Sequence, residues 1–507
     1  MTVSLPSKTN QDGHGADYTD RYNPAWEPES RERGDCKVQA DKQTTDYTDR
    51  YNDASKPQMI DFIRRLAHGM RDIAGQVRQD DTMKKRVEKT FSTREVGELL
   101  GLGNAYTIRV LNQATSDDDS FPVGRKTVGQ SGHTAHYSIS EIMMMRAYLQ
   151  SRTHRKHEYL HWRKPGDPLP VVSFSAQKGG TGKSLSAAHF AQYVAMNYGL
   201  RVGILDCDPQ ATVSLYFADK QTKLFERNRN TVASFMGLDL DQFNAHQIVE
   251  KSAEDLNGMW QTTQWPGTRL IPGGANIQDA DLALLMLSQK SGGTAPVHAA
   301  LKDAIARWDA AYGPKTLGSE LRKPDGSFDV EKYQEALHET VDVIVIDQQP
   351  SFTLVQLNGL VAATNLIVPQ TMKGFDLKTL STYADNVQVY LSEMAIKDRV
   401  IGGGNHIVLP TIIQEANEKD VDQIVDIHRR HPGLVSQVWY SRSDAVANAA
   451  EEYKSIYEYD PPRSRRPSAK AFIQNANAVN DALAKLVWGG ALPSRGHAEK
   501  FIAERWV

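Results

Sequence analysis

The densest chemistry in this chain sits in one run, Gln177-Lys178-Gly179-Gly180-Thr181-Gly182-Lys183-Ser184. Gly179, Gly180 and Gly182 free the main chain to turn its N–H groups toward a common point, because no Cβ blocks the left-handed region. A lysine and a hydroxyl follow where a helix is predicted to begin, and a helix N-terminus favours an anion. These features converge on phosphate. Lys183 is placed to reach the β- and γ-phosphates of a nucleotide and Ser184 to hold its Mg²⁺, with the main chain from Gly179 through Thr181 to Leu185 lining the phosphates.

Stepping outward along the chain, Val171–Phe174 reads as a short buried strand feeding that loop, and Leu185 to about Tyr198 as the helix leaving it. Val202–Leu205 is a second apolar strand that delivers Asp206 and Asp208 at its C-terminal end. Val341–Ile346 is a third, ending in Asp347. Ligands of open α/β sheets gather at such strand ends. Taken alone, Asp206 and Asp208 read better as a polar turn before Pro209, and a strand-end aspartate such as Asp347 is a common turn former; beside the phosphate loop the ligand reading prevails. Shorter apolar runs at Leu270–Ile271, Leu366–Val368 and Ile407–Leu409 complete an alternation of strands and helices. The expected fold class is α/β, a mostly parallel sheet flanked by helices, of the P-loop NTPase kind, with a small winged helix-turn-helix domain before it.

The loop departs from the general G-x-x-x-x-G-K-[ST] pattern, since Gln177 stands in place of the first glycine. It resembles instead the variant Walker A of the ParA/MinD class, KGGxGK[ST], and the chain resembles ParA-type plasmid partition ATPases over roughly 171–487. In that class the extra lysine, here Lys178, reaches across a nucleotide-sandwich dimer, so the resemblance implies a catalytic pair of Lys178 and Lys183. Asp206-Cys207-Asp208-Pro209-Gln210 resembles Walker A′, which implies that Asp208 activates the attacking water and Asp206 supports the Mg²⁺ shell. The Val341–Asp347 strand looks like Walker B, with Asp347 on the Mg²⁺ shell. Gln349 stands where the family usually has a proline, and Pro350-Ser351 keep the rest. The resemblance further implies ATP and ADP as ligands, a homodimer formed on ATP, a ParB-like partner and a cytoplasmic, nucleoid-associated protein. It also implies nonspecific DNA binding through C-terminal basic residues such as Arg442, and operator binding in autoregulation.

Four segments are expected along the chain. Residues 1–56 read as a flexible polar tail in which DYTDRYN occurs at Asp17–Asn23 and again at Asp46–Asn52. Residues 57–80 carry Met59, Ile60, Phe62, Ile63, Leu66 and Met70 at helical spacing. That stripe packs on the next domain or pairs with its copy in a dimer. Residues 81–160 form the helix-turn-helix domain and 161–507 the ATPase domain. In the former, Ser92 and Glu95 make a capping box, Gly101-Leu102-Gly103 a turn, and Asn104 caps a second helix. Ile108 and Leu111 are expected inside. Thr107, Arg109, Asn112 and Gln113 are expected outside and toward DNA, with Arg125 and Lys126 on a β wing touching phosphates. The connector Gln150–Pro170 is expected to be solvated, its His154, His157 and His161 lacking partners for a metal site. Residues 313–340 receive no role.

Composition narrows the alternatives. The chain has 507 residues, 40% hydrophobic and 24% charged, with a formal net charge of −3. DNA contact must therefore come from local patches. No apolar run is long enough to span a membrane, and the polar N-terminus is unlike a secretory signal. The two cysteines, Cys36 and Cys207, are too far apart in sequence for cluster or zinc spacing, which disfavours an iron-protein-type relative. A MinD-like membrane anchor would need more than the mildly amphipathic tail Phe501–Val507. A nucleotide-switched transcriptional repressor remains the rival reading.

Overall fold

The computed structural model describes residues 59–80, 89–129, 132–155, 158–219, 222, 230–239, 248–393, 404–452 and 454–506. The tail 1–56 with its duplicated peptide, and His157, lie outside them. Residues 1–72 and 73–507 form two compact units. The described part of the first is the start of helix α1 (Met59–Asp80), where Met59, Ile60, Phe62, Ile63, Leu66 and Met70 are all exposed.

The second unit begins with strand β1 (Phe91–Ser92), helices α2 (Thr93–Leu100) and α3 (Asn104–Asp117), the hairpin β2 (Arg125–Gly129) and β3 (Gly132–Tyr137), and helix α4 (Ile139–Arg152). Ser92 and Glu95 satisfy each other's free groups at the start of α2, as the capping pattern predicts. Gly101 ends that helix in the left-handed region at φ 72°. Gly103, not Asn104, is the N-cap of α3, and it makes no side-chain cap. The phase of α3 also differs from expectation. Thr107 is fully buried while Ile108 is 47% exposed. The buried row is Thr107, Leu111 and Ala114, spaced four and three residues apart as one helix face requires. Thr107 tolerates burial because its hydroxyl donates to the Gly103 carbonyl at 3.0 Å. It packs against Gly97 of α2, where a Cβ would lie 2.4 Å from the Thr107 hydroxyl.

The rest is a seven-stranded sheet in the order β10-β9-β4-β8-β5-β7-β6. Its strands are β4 (Val171–Phe174), β5 (Val202–Cys207), β6 (Gln261–Thr262), β7 (Thr268–Ile271), β8 (Val343–Gln348), β9 (Asn365–Gln370) and β10 (Ile407–Pro410). Every pairing is parallel except β6 with β7. Helix α5 (Lys183–Tyr198) follows β4. β4, β5 and β8 are buried throughout, which is why they read as unbroken apolar runs.

One expectation about the intervening chain changes, and a segment without an assigned role gains one. The connector is solvated only in part: His154, Arg155 and residues 165–168 are exposed, but His161, Trp162 and Arg163 are buried. The Arg163 guanidinium donates to Asp309 at 3.1 Å, and its main-chain N–H donates to Asp342 at 2.8 Å. Asp342 also takes the Arg201 side chain at 2.7 Å, so the start of β8 closes a buried charge cluster. Residues 313–340 are structured. They include the helix Val330–Leu337, whose Tyr333 ring stacks on Trp162 with centroids 6.4 Å apart. Phe328 meets Tyr148 of α4, which in turn meets Phe121. One apolar core runs from Phe91 and Val96 through α4 into α5 and the sheet.

Candidate nucleotide site

The strand order sets the site. β4 lies between β9 and the central strand β8, and its exit becomes the glycine loop. Gly180 and Gly182 take φ values of 76° and 79°, which a side chain would strain. A Cβ built at Gly179, Gly180 or Gly182 meets nothing within 4 Å, so the loop leaves open space beside its main chain. Gly182 is the N-cap of α5, and the first intrahelical bond is Ser186 N–H to Gly182 carbonyl at 2.8 Å. The N–H groups of Lys183, Ser184 and Leu185 precede that bond, as at any helix start. The helix begins two residues earlier than the sequence suggested, within the usual scatter of helix ends.

Lys183 is 7% exposed, and its charge acts on Asp347 of β8. Asp347 and Asp206 are register partners on adjacent strands, and both are fully buried. Burial pushes both carboxyls upward from the ordinary range; the Asp208 charge adds to the rise at Asp206, and the Asp206 charge to that at Asp347. Their surroundings differ. Asp206 is committed: it accepts the Ser214 N–H at 3.0 Å, the Ser214 hydroxyl at 2.6 Å and the Asp208 N–H at 3.0 Å. Neither oxygen of Asp347 has a close hydrogen-bond partner, and only the Lys183 charge and a looser approach of the Ser184 hydroxyl ease its burial. An orphaned buried carboxylate beside a lysine and the Ser184 hydroxyl fits a divalent cation. Asp347 and Ser184 are therefore the residues that would hold Mg²⁺, while Asp206 shapes the loop that carries Asp208.

Asp208 is 5% exposed and accepts the Gln210 N–H at 2.8 Å. Two tight features hold it. Ala211 sits in the left-handed region at φ 52°. Gly273 lies so close that a Cβ would come within 2.4 Å of the Asp208 carbonyl. The Leu270–Gly274 segment thus walls the Asp208 loop, and Gly273 N–H donates to Ser214 at 3.3 Å. Gln349 ties the turn after β8, donating to Thr353 at 2.6 Å and Asp281 at 3.2 Å.

Three further residues contribute. Thr411, at the exit of β10, donates to the Thr181 carbonyl of the loop at 2.7 Å. Ser214 orients Asp206. Asp376 is paired with Lys178 and also accepts the Thr371 hydroxyl. Burial raises the Asp376 carboxyl, but these hydrogen bonds outweigh it and hold the group below the usual range.

The expected DNA contacts divide. Arg109, Asn112 and Gln113 share the exposed face of α3, and Arg125 is exposed on β2. Lys126 is on β2, its side chain outside the described residues. Thr107 is removed from that face by its burial. Arg442 is exposed, as are Arg429, Arg430, Arg463, Arg465 and Arg466. Among the described residues no helix is long and apolar enough to cross a membrane.

A family model described as the CobQ/CobB/MinD/ParA nucleotide binding domain matches residues 172–479. The chain is 25% identical over 410 residues to a candidate replication protein A of Rhizobium rhizogenes, covering 79% of this chain and 88% of that one. It is 24% identical over 329 residues to the protein SopA of Escherichia coli K12, covering 64% and 69%. A solved structure described as a partition protein superposes with a TM-score of 0.49 at 14% identity, covering 79% of this chain and 98% of the other.

Proposed function

The chain belongs to the CobQ/CobB/MinD/ParA nucleotide-binding family, and on that premise we propose that it is an ATPase of DNA partition that binds ATP with Mg²⁺ around Lys183. The observation that carries this reading is Asp347, a buried carboxylate with no close hydrogen-bond partner, facing Lys183 and Ser184 at the strand end beside the glycine loop. When bound, Mg²⁺ neutralises charge on the phosphates and on Asp347. The chain's own groups do the remainder. Main-chain N–H groups through Leu185 hold the phosphates, Lys183 adds a positive charge at the transferring group, and Asp208 orients the attacking water and takes its proton.

Lys178 then supplies charge to the partner's phosphates in a homodimer that closes on ATP, so ATP binding and dimerisation are coupled. A ParB-like protein stimulates hydrolysis. Arg442 and the neighbouring arginines bind nonspecific DNA by counterion release, which makes that binding fall steeply with salt. Arg109, Asn112, Gln113, Arg125 and Lys126 bind an operator, with ADP favouring this autoregulatory role. The protein works in the cytoplasm on the nucleoid. The exposed row on α3 also supports a second reading, a transcriptional repressor switched by nucleotide.

The deciding experiment pairs ATP titration with imaging of the tagged protein. Lys183→Ala is expected to lose ATP binding and hydrolysis, and full retention would refute the ATPase. Patterns that move over the nucleoid support partition, and static operator foci favour the repressor.

A further inference from the structure

The helix that starts at the phosphate loop has an end tied by the small N-terminal module. α5 spans 16 residues, or about 24 Å of rigid rod. A helix leaves its last four carbonyls without intrahelical partners. In α5 all four are taken. Gly199 N–H covers Ala195, Arg146 covers Met196, Arg495 covers Asn197, and His161 N–H covers Tyr198. Two of the four caps are cations, the sign a helix C-terminus favours.

Arg146 is the unusual member. It stands on α4 and is fully buried. Its Nε and one terminal nitrogen donate to the Met196 carbonyl at 3.1 and 2.7 Å, and its other terminal nitrogen donates to the Tyr159 carbonyl at 3.1 Å. The nitrogen that reaches Met196 at 2.7 Å also donates to the Leu99 carbonyl. Leu99 lies in the last turn of α2, where another carbonyl needs a partner. Each of these acceptors is a main-chain carbonyl. Burying a guanidinium without a carboxylate is costly, and packing alone would be served by an apolar side chain. The planar fork of arginine instead fixes two helix ends to one another in a way a lysine cannot. Arg495, whose guanidinium lies over the Tyr198 ring at 5.0 Å, also abuts Gly101, in the turn between α2 and α3.

We infer that Arg146 is a positioning residue that couples the nucleotide site to the exposed face of α3. Movement of the phosphate loop at Lys183 and Ser184 is carried along α5 to Met196. Arg146 transfers it to Leu99 at the end of α2, and the tight Gly97–Thr107 contact passes it to α3. The inference rests on the nucleotide-binding reading above and adds the route by which nucleotide state alters the face bearing Arg109, Asn112 and Gln113.

The test is hydrogen–deuterium exchange of the full-length protein over Thr93–Asp117, without nucleotide, with Mg-ADP and with Mg-ATP, beside a direct measurement of ADP affinity. The wild type is expected to change exchange in α2 and α3 on binding nucleotide. Arg146→Lys is expected to bind ADP within about two-fold of wild type yet lose that change. Arg146→Gln serves as a second variant if the lysine variant fails to fold. The same exchange response in wild type and variant, or a wild type that binds ADP with α2 and α3 indifferent, overturns the coupling and leaves the ATPase reading standing. A wild type that binds neither nucleotide removes both. Failure of both variants to fold assigns Arg146 to stability alone and also overturns the proposal.

Discussion

Lys178, the extra lysine of the phosphate loop, is paired with Asp376 of the same chain, in the first turn of the helix Gly374–Glu393 that follows β9. Its side chain is 45% exposed and that of Asp376 only 5%. A pair with one wet end is worth little, typically below about 1 kcal/mol. Lys178 is thus held within its own chain by a contact that a competing phosphate can displace.

That arrangement predicts the behaviour of Asp376→Asn. Neutralising the carboxylate removes the competitor for Lys178, so Mg-ATP is expected to drive dimerisation at a several-fold lower protein concentration. ADP affinity, which depends on the loop and Lys183, is expected to stay near wild type. Analytical ultracentrifugation with and without Mg-ATP reads this directly. Weaker dimerisation in Asp376→Asn would show that Asp376 aids the lysine and does not restrain it.

Asp347 predicts a conflict between stability and activity. Burial raises its carboxyl. A carboxyl raised on folding stabilises nothing at neutral pH. Between the unfolded and folded pKa the native state holds the extra proton, and stability falls as pH rises through that window until the folded group has ionised. Asp347→Asn removes the cost of holding a buried charge. It is expected to be more stable than wild type in metal-free buffer at pH 8, on the order of 2 kcal/mol by urea unfolding, with the gain shrinking toward pH 4. The same variant is expected to lose hydrolysis. A loss of stability at pH 8 would show that Lys183 and Ser184 offset the burial of Asp347 more fully than its raised carboxyl implies.

The two parts of the molecule were unequally legible. The phosphate loop could be read because phosphate chemistry constrains the main chain itself, and only glycine meets that constraint at Gly180 and Gly182. The strand ends at Asp206 and Asp347 could be read because parallel strands buried on both faces leave apolar runs with a polar exit. The phase of α3 could not. Ile108 and Leu111 as a pair fit two adjacent faces, and the true third member is Thr107, whose polarity is hidden by a bond to its own helix. The connector failed for another reason: Arg163 looks solvated until its partners Asp309 and Asp342 appear, 146 and 179 residues away. Residues 313–340 likewise gain their meaning from Trp162 and Tyr148, which no local period reveals.

Ile412 holds stored strain beside the nucleotide site. It follows Thr411, which bonds the phosphate loop, and takes φ 57° although it is β-branched. It is 42% exposed, so little burial offsets the strain. Asparagine occupies that region far more readily. Ile412→Asn is expected to raise stability by about 1 kcal/mol, measured by urea unfolding without nucleotide. A loss of that size would mean the side chain supplies packing that outweighs the backbone cost.

Gly97 and Thr107 give the sharpest handle on the N-terminal module. A Cβ at residue 97 would lie 2.4 Å from the Thr107 hydroxyl and 3.3 Å from the Leu102 carbonyl. The hydroxyl cannot retreat, because it donates to Gly103 within a buried contact. Gly97→Ala must therefore push α2 and α3 apart, at a cost of about 1–3 kcal/mol. Thr107→Ala removes the hydroxyl and leaves the Cβ of residue 107 at 3.2 Å and the Leu102 carbonyl at 3.3 Å, contacts that small shifts can accommodate. Adding it to Gly97→Ala is thus expected to recover part of the lost stability, although Thr107→Ala alone destabilises by leaving its site underpacked. That reversal of sign in a double-mutant cycle is the signature of a direct clash. Thermal unfolding of the four proteins measures it, with ATP hydrolysis as a check that the distant site is intact. Simple addition of the two losses would place Gly97 and Thr107 out of contact and withdraw the packing assigned to α2 and α3.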